Sequence, residues 1–217
     1  MAQKVLITAA ASGIGLEIAR AFVSAGATVF ITDINTQAID AAKKEIPGLL
    51  ATLCDNSKRS DIEAMVPAAV KALGGLDVLV NNAGISGPTA PVEEMDPDKW
   101  EQVMTVDLVG TFNVTRLAIP HLKKSSAGSI IIMSSLGGRF GYPNRSPYNV
   151  AKAGLIGFAK TLAIELGDHN IRTNAIAPGA VGGQRIENVL AVAQGRRVKA
   201  WRTKERPCSA SKRSSSS

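Results

Sequence analysis

"KVLITAAASGIG", residues 4–15, decides how the rest of the chain is read. It opens as a short apolar run, passes through four small residues after Thr8, and ends in a glycine pair. A stretch of helical character follows over residues 13–25. A strand that turns through small residues into a helix has two uses. Small residues let the backbone approach a phosphate group, while the helix N-terminus supplies free N–H groups and the positive end of its dipole. The same glycines also serve tight packing of a helix on a strand. Gly13 and Gly15 are therefore candidates for a phosphate-binding turn, with close β–α packing as the competing reading.

The pattern of residues 4–15 repeats in kind along the chain. "TVFITD" (28–33), "LLATLCD" (49–55), "LDVLVNN" (76–82), "GSIIIMSS" (128–135) and "IRTNAIAP" (171–178) are short apolar runs rich in β-branched residues. Runs of that kind read as strands buried on both faces. Helical stretches lie between them, at 36–46, 59–73, 97–122 and 148–167. Strands alternating with helices predict an α/β fold of Rossmann type: a doubly wound parallel sheet with right-handed crossovers and helices on both faces. No internal repeat or linker interrupts it before about residue 184.

Bulk composition agrees with one such domain. The chain has 217 residues, 45% hydrophobic but only 4% aromatic, which suits helix-on-sheet packing rather than an aromatic-cored β domain. Cys54 and Cys208 have neither metal-ligand nor disulfide-framework spacing, as expected of a reducing compartment. No run has the length of a membrane span and no leader pattern precedes the first strand, so a cytoplasmic protein without membrane association is expected. The net charge of +7 is confined to the end of the chain. Residues 196–217 hold eight Lys or Arg against Glu205 alone, and the body is neutral.

Chemistry-bearing residues gather at strand C-termini, the edge where open α/β sheets bind ligands. Asp33 ends the second strand, 18 residues beyond Gly15. An acid there can accept from both ribose hydroxyls of an adenosine and repel a 2′-phosphate, which favours NAD over NADP. A turn or helix-cap role is the alternative, since "TDINTQ" also resembles a helix start. Asp55 follows the third strand, and "NNAG" (81–84) follows the fourth. Ser134 and Ser135 end the fifth. Tyr148 and Lys152, four apart at a helix start, share one face, and an ammonium near a phenol favours its ionised form.

Taken together, T-A-A-A-S-G-I-G, Asp33, Cys54-Asp55, N-N-A-G, Ser134-Ser135, Tyr148-x-x-x-Lys152 and Pro178-Gly179 resemble the short-chain dehydrogenase/reductases over residues 1 to about 180. The resemblance implies an NAD-dependent oxidoreductase that interconverts a secondary alcohol and a ketone, a small-molecule substrate. In it, Ser135 hydrogen-bonds the substrate oxygen, Tyr148 gives or takes the proton, and Lys152 assists the tyrosine while binding the nicotinamide ribose. Hydride passes between the substrate carbon and the nicotinamide. It also implies cofactor contacts from Ser12, Gly13, Ile14, Gly15, Asp33, Asp55, Asn56, Asn82, Ala83, Gly84, Tyr148, Lys152, Pro178 and Gly179. A homodimer through the helices near 97–122 and 148–167 is implied as well.

The chain departs from that pattern in three places. Ala9 replaces the first motif glycine, a mild change where the backbone keeps a negative φ. Asp107 stands where the resemblance places an asparagine that helps hold a proton-relay water, and is the fourth catalytic candidate because that relay leans on backbone as well as side chain; a carboxylate near Lys152 would nonetheless oppose the effect of Lys152 on Tyr148. After "APGAVGG" the resemblance fades. Gly183 occupies the position of a threonine that holds the nicotinamide amide, and no counterpart of the last strand is legible. The expected organisation is a dinucleotide-binding catalytic domain over 1–183, a short helical remnant of a substrate lid over 184–195, and a basic serine-rich tail over 196–217. The tail lacks interleaved aromatics beyond Trp201 and reads as solvated, not as an arm for nucleic acid. A catalytically impaired dinucleotide-binding remnant is the alternative to an active enzyme. Within "RFGYPNRSPY", Arg139 and Arg145 are candidates for a substrate carboxylate or phosphate.

Overall fold

The computed structural model describes residues 2–182. Six parallel strands form one sheet: β1 (Lys4–Ile7), β2 (Thr28–Asp33), β3 (Leu50–Leu53), β4 (Val78–Asn81), β5 (Ser129–Met133) and β6 (Arg172–Ile176). Their order across the sheet is β3-β2-β1-β4-β5-β6. The chain therefore winds outward from β1 in one direction, returns to β4, and winds outward in the other. That reversal leaves a crevice at the C-terminal ends of β1 and β4, where the helices diverge to opposite faces. The expected doubly wound sheet is present; β2 coincides with its apolar run, and the other strands are one to three residues shorter than theirs.

Alternation along each strand sorts the core into two layers. Leu6, Phe30, Leu79, Ile130 and Ile132 face one side. There they meet α3 (Arg59–Leu73), α5 (Gly110–Leu122) and α6 (Ser146–Glu165). Val5, Ile7, Val29, Ile31, Val78 and Val80 face the other and meet α1 (Gly13–Ser24) and α2 (Thr36–Glu45). Val5, Leu6 and Ile7 are all fully buried. Each such side chain contributes about 1.5–3 kcal/mol of burial, so the central strands outweigh the helices' own propensity.

The stretch expected as one helix over 97–122 is broken. α4 (Pro97–Val103) runs into a π-helical stretch, Met104–Val109, before α5 resumes. A π-turn inserts one extra residue and frees backbone carbonyls from the regular ladder. Here the Thr111 hydroxyl donates to the Asp107 carbonyl at 2.7 Å. The inserted residue rotates the helix face so that Asp107 is completely buried. α6 begins at Ser146 with Pro147 in its first turn, two residues ahead of the expected start.

The turn after β1 corrects one expectation. Ala9 has φ +49°, in the left-handed region, so its backbone does not keep the negative φ that would make alanine harmless. Both sides of the residue are fastened. The Ala9 carbonyl accepts from Asn82 Nδ2 at 2.8 Å, and the Ala10 N–H donates to the Thr32 carbonyl at 2.8 Å. The Cβ of an L-residue in this conformation costs about 1–2 kcal/mol. The expectations for Gly183, the 184–195 helix, the 196–217 tail and any strand after β6 lie outside the described residues. Among those residues, no helix is long and apolar enough to cross a membrane.

Ala9→Gly is therefore expected to stabilise the protein by roughly 1 kcal/mol, less a few tenths for glycine's greater freedom when unfolded. Urea denaturation checks this: the midpoint should rise at unchanged m-value, and an unmoved or lower midpoint would show that the turn relaxes around alanine without strain.

Candidate active site

Asn82 organises the turn that follows β1. Its side-chain amide donates to the Thr8 carbonyl at 3.1 Å and to the Ala9 carbonyl at 2.8 Å. In return the fully buried Thr8 hydroxyl accepts from the Asn82 and Ala83 N–H groups, each at 3.0 Å. Thr8 is a positioning residue that the sequence reading quoted without assigning a role. These bonds tie the ends of β1 and β4 together across the crevice. Gly15 lies directly beneath: a Cβ there would stand 2.6 Å from Asn82 Nδ2 and 2.8 Å from the Ala9 oxygen. Close packing, the competing reading of the glycine pair, thus accounts for Gly15.

Ahead of it the turn is open. Ser12 is the N-cap of α1 and makes no side-chain capping bond, and no acidic residue stands in the first turn. Leu16 N–H makes an early helical bond, to the Ser12 carbonyl at 3.3 Å. Helix geometry leaves the N–H groups of Gly13, Ile14 and Gly15 without intrahelical acceptors. Gly13 has φ +56°, and a Cβ on it would meet nothing within 4 Å. An exposed helix end with open space, free N–H groups and no competing carboxylate fits a pyrophosphate.

Asp33 sits at the edge of this turn. Its Oδ2 accepts from Ala11 N–H at 3.1 Å and its Oδ1 from Asn35 N–H at 3.1 Å. The cap of α2 is Asn35, whose side chain accepts from Ala38 N–H, so Asp33 makes a turn without capping the helix. An ionised carboxylate has about four acceptor sites, of which two are used; two remain for a pair of hydroxyls.

Asp55 is taken up by its own loop. Its Oδ1 accepts from the Ser57 hydroxyl at 2.7 Å and the Ser57 N–H at 2.9 Å, and Lys58 Nζ lies 3.6 Å from Oδ2. The Ser57 hydroxyl bond is the main cause that holds its carboxyl below the ordinary range. Asn56 beside it is buried. Cys54 is buried too, and burial pushes its thiol up to about 12, which makes it an unreactive core residue.

On the other side of the crevice, Lys152 is buried, with Nζ 3.3 Å from Asp107 Oδ2 and donating to the Met133 carbonyl at 3.1 Å. Asp107 Oδ1 accepts from Ile85 N–H at 2.7 Å. Gly84 makes this pair possible, because a Cβ there would stand 2.9 Å from both Asp107 Oδ2 and Lys152 Nζ. The four residues of "NNAG" thus have separate tasks: Asn81 Nδ2 donates to Thr115 Oγ1 at 2.8 Å, Asn82 and Ala83 bind Thr8, and Gly84 clears the ion pair. The expected opposition of Asp107 to Lys152 is built into the site.

The two serines differ in what they do. The Ser134 hydroxyl donates to the Lys152 carbonyl at 2.7 Å and is occupied with α6. Ser135 Oγ accepts from Gly137 N–H at 3.1 Å, which leaves its own hydrogen to donate. Leu136 N–H donates to the Pro178 carbonyl at 3.0 Å, bringing Pro178 and Gly179 beside this serine turn. The Tyr148 ring has two cations near it: Lys152 Nζ at 5.7 Å and the Arg145 guanidinium carbon at 4.9 Å from the centroid. Arg145 is itself buried, whereas Arg139 lies 5.8 Å over the exposed Phe140 ring.

Comparison with known proteins shows the family and the fold. A family model described as short chain dehydrogenase matches residues 3–191. The 3-oxoacyl-[acyl-carrier-protein] reductase FabG of Thermotoga maritima is 42% identical over 180 residues, which span 81% of this chain and 73% of that protein. Levodione reductase superposes with a TM-score of 0.86 at 30% identity, over 90% of this chain and 79% of that one. NAD+-bound xylitol dehydrogenase superposes at 0.83 and 30% identity, over 88% and 75%.

The buried ion pair yields a stability test. Asp107→Ala leaves Lys152 charged and buried with Ile85 N–H lacking its acceptor, and is expected to cost roughly 3–5 kcal/mol in urea unfolding. Adding Lys152→Met to it removes the stranded charge, so the double variant is expected to be more stable than Asp107→Ala alone. A double variant that is less stable would show that the pair is not what holds this region.

Proposed function

Since the chain belongs to the short-chain dehydrogenase family, we propose that it is an NAD-dependent oxidoreductase interconverting a secondary alcohol and its ketone, with Ser135, Tyr148 and Lys152 as its catalytic residues. The observation that carries this reading is the placement of Tyr148 and Lys152 on one face of α6, beside the Ser135 turn, across the crevice from an open helix N-terminus flanked by Asp33. A dinucleotide fits those residues: N–H groups ahead of Leu16 for the pyrophosphate, and the two remaining acceptor sites of Asp33 for the adenosine ribose. When bound, NAD supplies the hydride acceptor and NADH the donor. The resemblance to NAD+-bound xylitol dehydrogenase supports that choice of cofactor.

The side chains divide the rest of the work. Ser135 donates to the substrate oxygen and holds it toward Tyr148. In alcohol oxidation the Tyr148 oxygen takes the hydroxyl proton, and in ketone reduction it returns one. The Lys152 ammonium favours the phenolate that accepts the proton, and its position is fixed by Met133 and Asp107. Backbone at Pro178 and Gly179 borders the same turn. Phe112 and Val109, both partly exposed and the former 6.3 Å from the Phe158 ring, are proposed to be covered by a second copy of the chain. Phe112→Glu is then expected to convert a dimer to a monomer in sedimentation velocity, and an unchanged sedimentation coefficient would remove that face from the interface.

One observation favours a second reading, a chain that binds the dinucleotide but turns over slowly. Asp107 stands 3.3 Å from Lys152, and its negative charge opposes the ammonium's field at the tyrosine. Calorimetric titration of the 217-residue chain separates the possibilities. NADH is expected to bind in the micromolar range and at least about tenfold more tightly than NADPH. Asp33→Ala should remove most of that preference. Tyr148→Phe should keep NADH binding and abolish NAD-linked oxidation across a panel of secondary alcohols. Binding without turnover in the parent would establish the second reading, and a folded chain that binds neither dinucleotide would refute both.

A further inference from the structure

Arg145 ends the loop before α6 as its N-cap residue, with its side chain turned inward and only 8% of the residue exposed. It is held from two directions. Nη1 donates to Thr89 Oγ1 at 3.3 Å, and the segment carrying Thr89 is fastened to the same loop by Ala90 N–H, which donates to the Asn144 carbonyl at 3.0 Å. The guanidinium carbon stands 4.9 Å from the Tyr148 centroid, nearer than the Lys152 ammonium at 5.7 Å. A desolvated guanidinium within about 6 Å of an aromatic ring is attracted to it, and the attraction grows when the ring carries a phenolate.

The charged groups around this ring come from three elements. Arg145 and Lys152 flank it from α6 and its cap, and Asp107 on the π-helical stretch reaches it through Lys152. Ser135 at the end of β5 is neutral. On the loop between β5 and α6, Arg139 is drawn to Phe140, and Tyr142 packs its ring against Gly137. Asp107 opposes the field of Lys152 at the ring, and the Arg145 guanidinium is a second cation beside it.

We propose that Arg145 is a positioning residue of the Tyr148 site: it fixes the orientation of the phenol ring and supplies a second positive charge that favours its ionised form. This assigns Arg145 to the tyrosine and not to a carboxylate or phosphate on the substrate. The proposal rests on reading Tyr148 as the acid/base group, but its physical content is testable without substrate or cofactor.

The chain has only two tyrosines, Tyr142 and Tyr148. In a Tyr142→Phe background, tyrosinate absorbance at alkaline pH therefore reports Tyr148 alone, while far-UV circular dichroism on the same samples follows unfolding. Arg145→Met and Arg145→Gln are expected to raise the midpoint by about one pH unit or more. Arg145→Lys, which keeps a cation, should raise it less. Asp107→Asn should lower it, because Lys152 then acts on the ring unopposed. A packing role alone would leave the midpoint in place. Equal midpoints in the parent and both neutral variants would overturn the proposal, as would a parent midpoint that merely coincides with alkaline unfolding. Loss of turnover in Tyr148→Phe tests the catalytic reading separately, so either can fail without the other.

Discussion

The buried pair of Lys152 and Asp107 is the constraint around which this end of the molecule is arranged. Two charges out of water are tolerable only when close together and saturated with further hydrogen bonds. Every neighbouring feature meets part of that demand. The π-helical stretch turns Asp107 inward, Gly84 has no side chain to obstruct the pair, and Ile85 N–H and the Met133 carbonyl supply the extra bonds. Ser134 anchors the backbone of Lys152 from the end of β5. These elements belong to β4, β5, the π-turn and α6, so one ion pair coordinates four separate pieces of chain. The lysine beneath Tyr148 is thus held by the fold itself.

On the β1 side of the crevice the corresponding constraint is Asn82. Its amide and the Thr8 hydroxyl join β1 to β4 at the switch point of the sheet, and that join forces the backbone of Ala9 into the left-handed region. Strain in the turn and shape in the crevice have the same origin. A chain with this clamp gains a helix end whose N–H groups look into open space, at the cost of a conformation that suits glycine better than alanine.

Much of this was legible in the sequence, for physical reasons. Strands buried on both faces must be continuous apolar runs, and the alternation of such runs with helical stretches leaves few topologies besides the doubly wound sheet. Gly13, Gly15, Asp33, Tyr148 and Lys152 stood out because their spacing reflects local geometry: one turn, one strand, one helical face. What escaped depends on contacts distant in sequence. Ala9 looked harmless because its φ is set by Asn82, some seventy residues away. The π-turn has no residue signature, so 97–122 read as one helix. The bonds of Asp55 to Ser57 and Lys58 were not legible because they are a matter of loop conformation. Arg145 read as a candidate for a substrate anion, and its burial against Thr89 and the Tyr148 ring is set by contacts that its position in the sequence does not show.

A carboxylate at position 107, where an amide would be close in size, changes what the surrounding residues must do. An amide at that position would leave the field of Lys152 at the ring unopposed. A carboxylate at 3.3 Å opposes part of that field. In a low-dielectric pocket that opposition is not screened by solvent. Another cation over the ring restores the balance without displacing Lys152 from the position its hydrogen bonds dictate. Asp107 and Arg145 are then coupled through Tyr148, although they lie on different elements and do not need to touch. Their identities are best read as one adjustment of the site's electrostatics, in which the charge near the tyrosine oxygen matters more than which residue carries it.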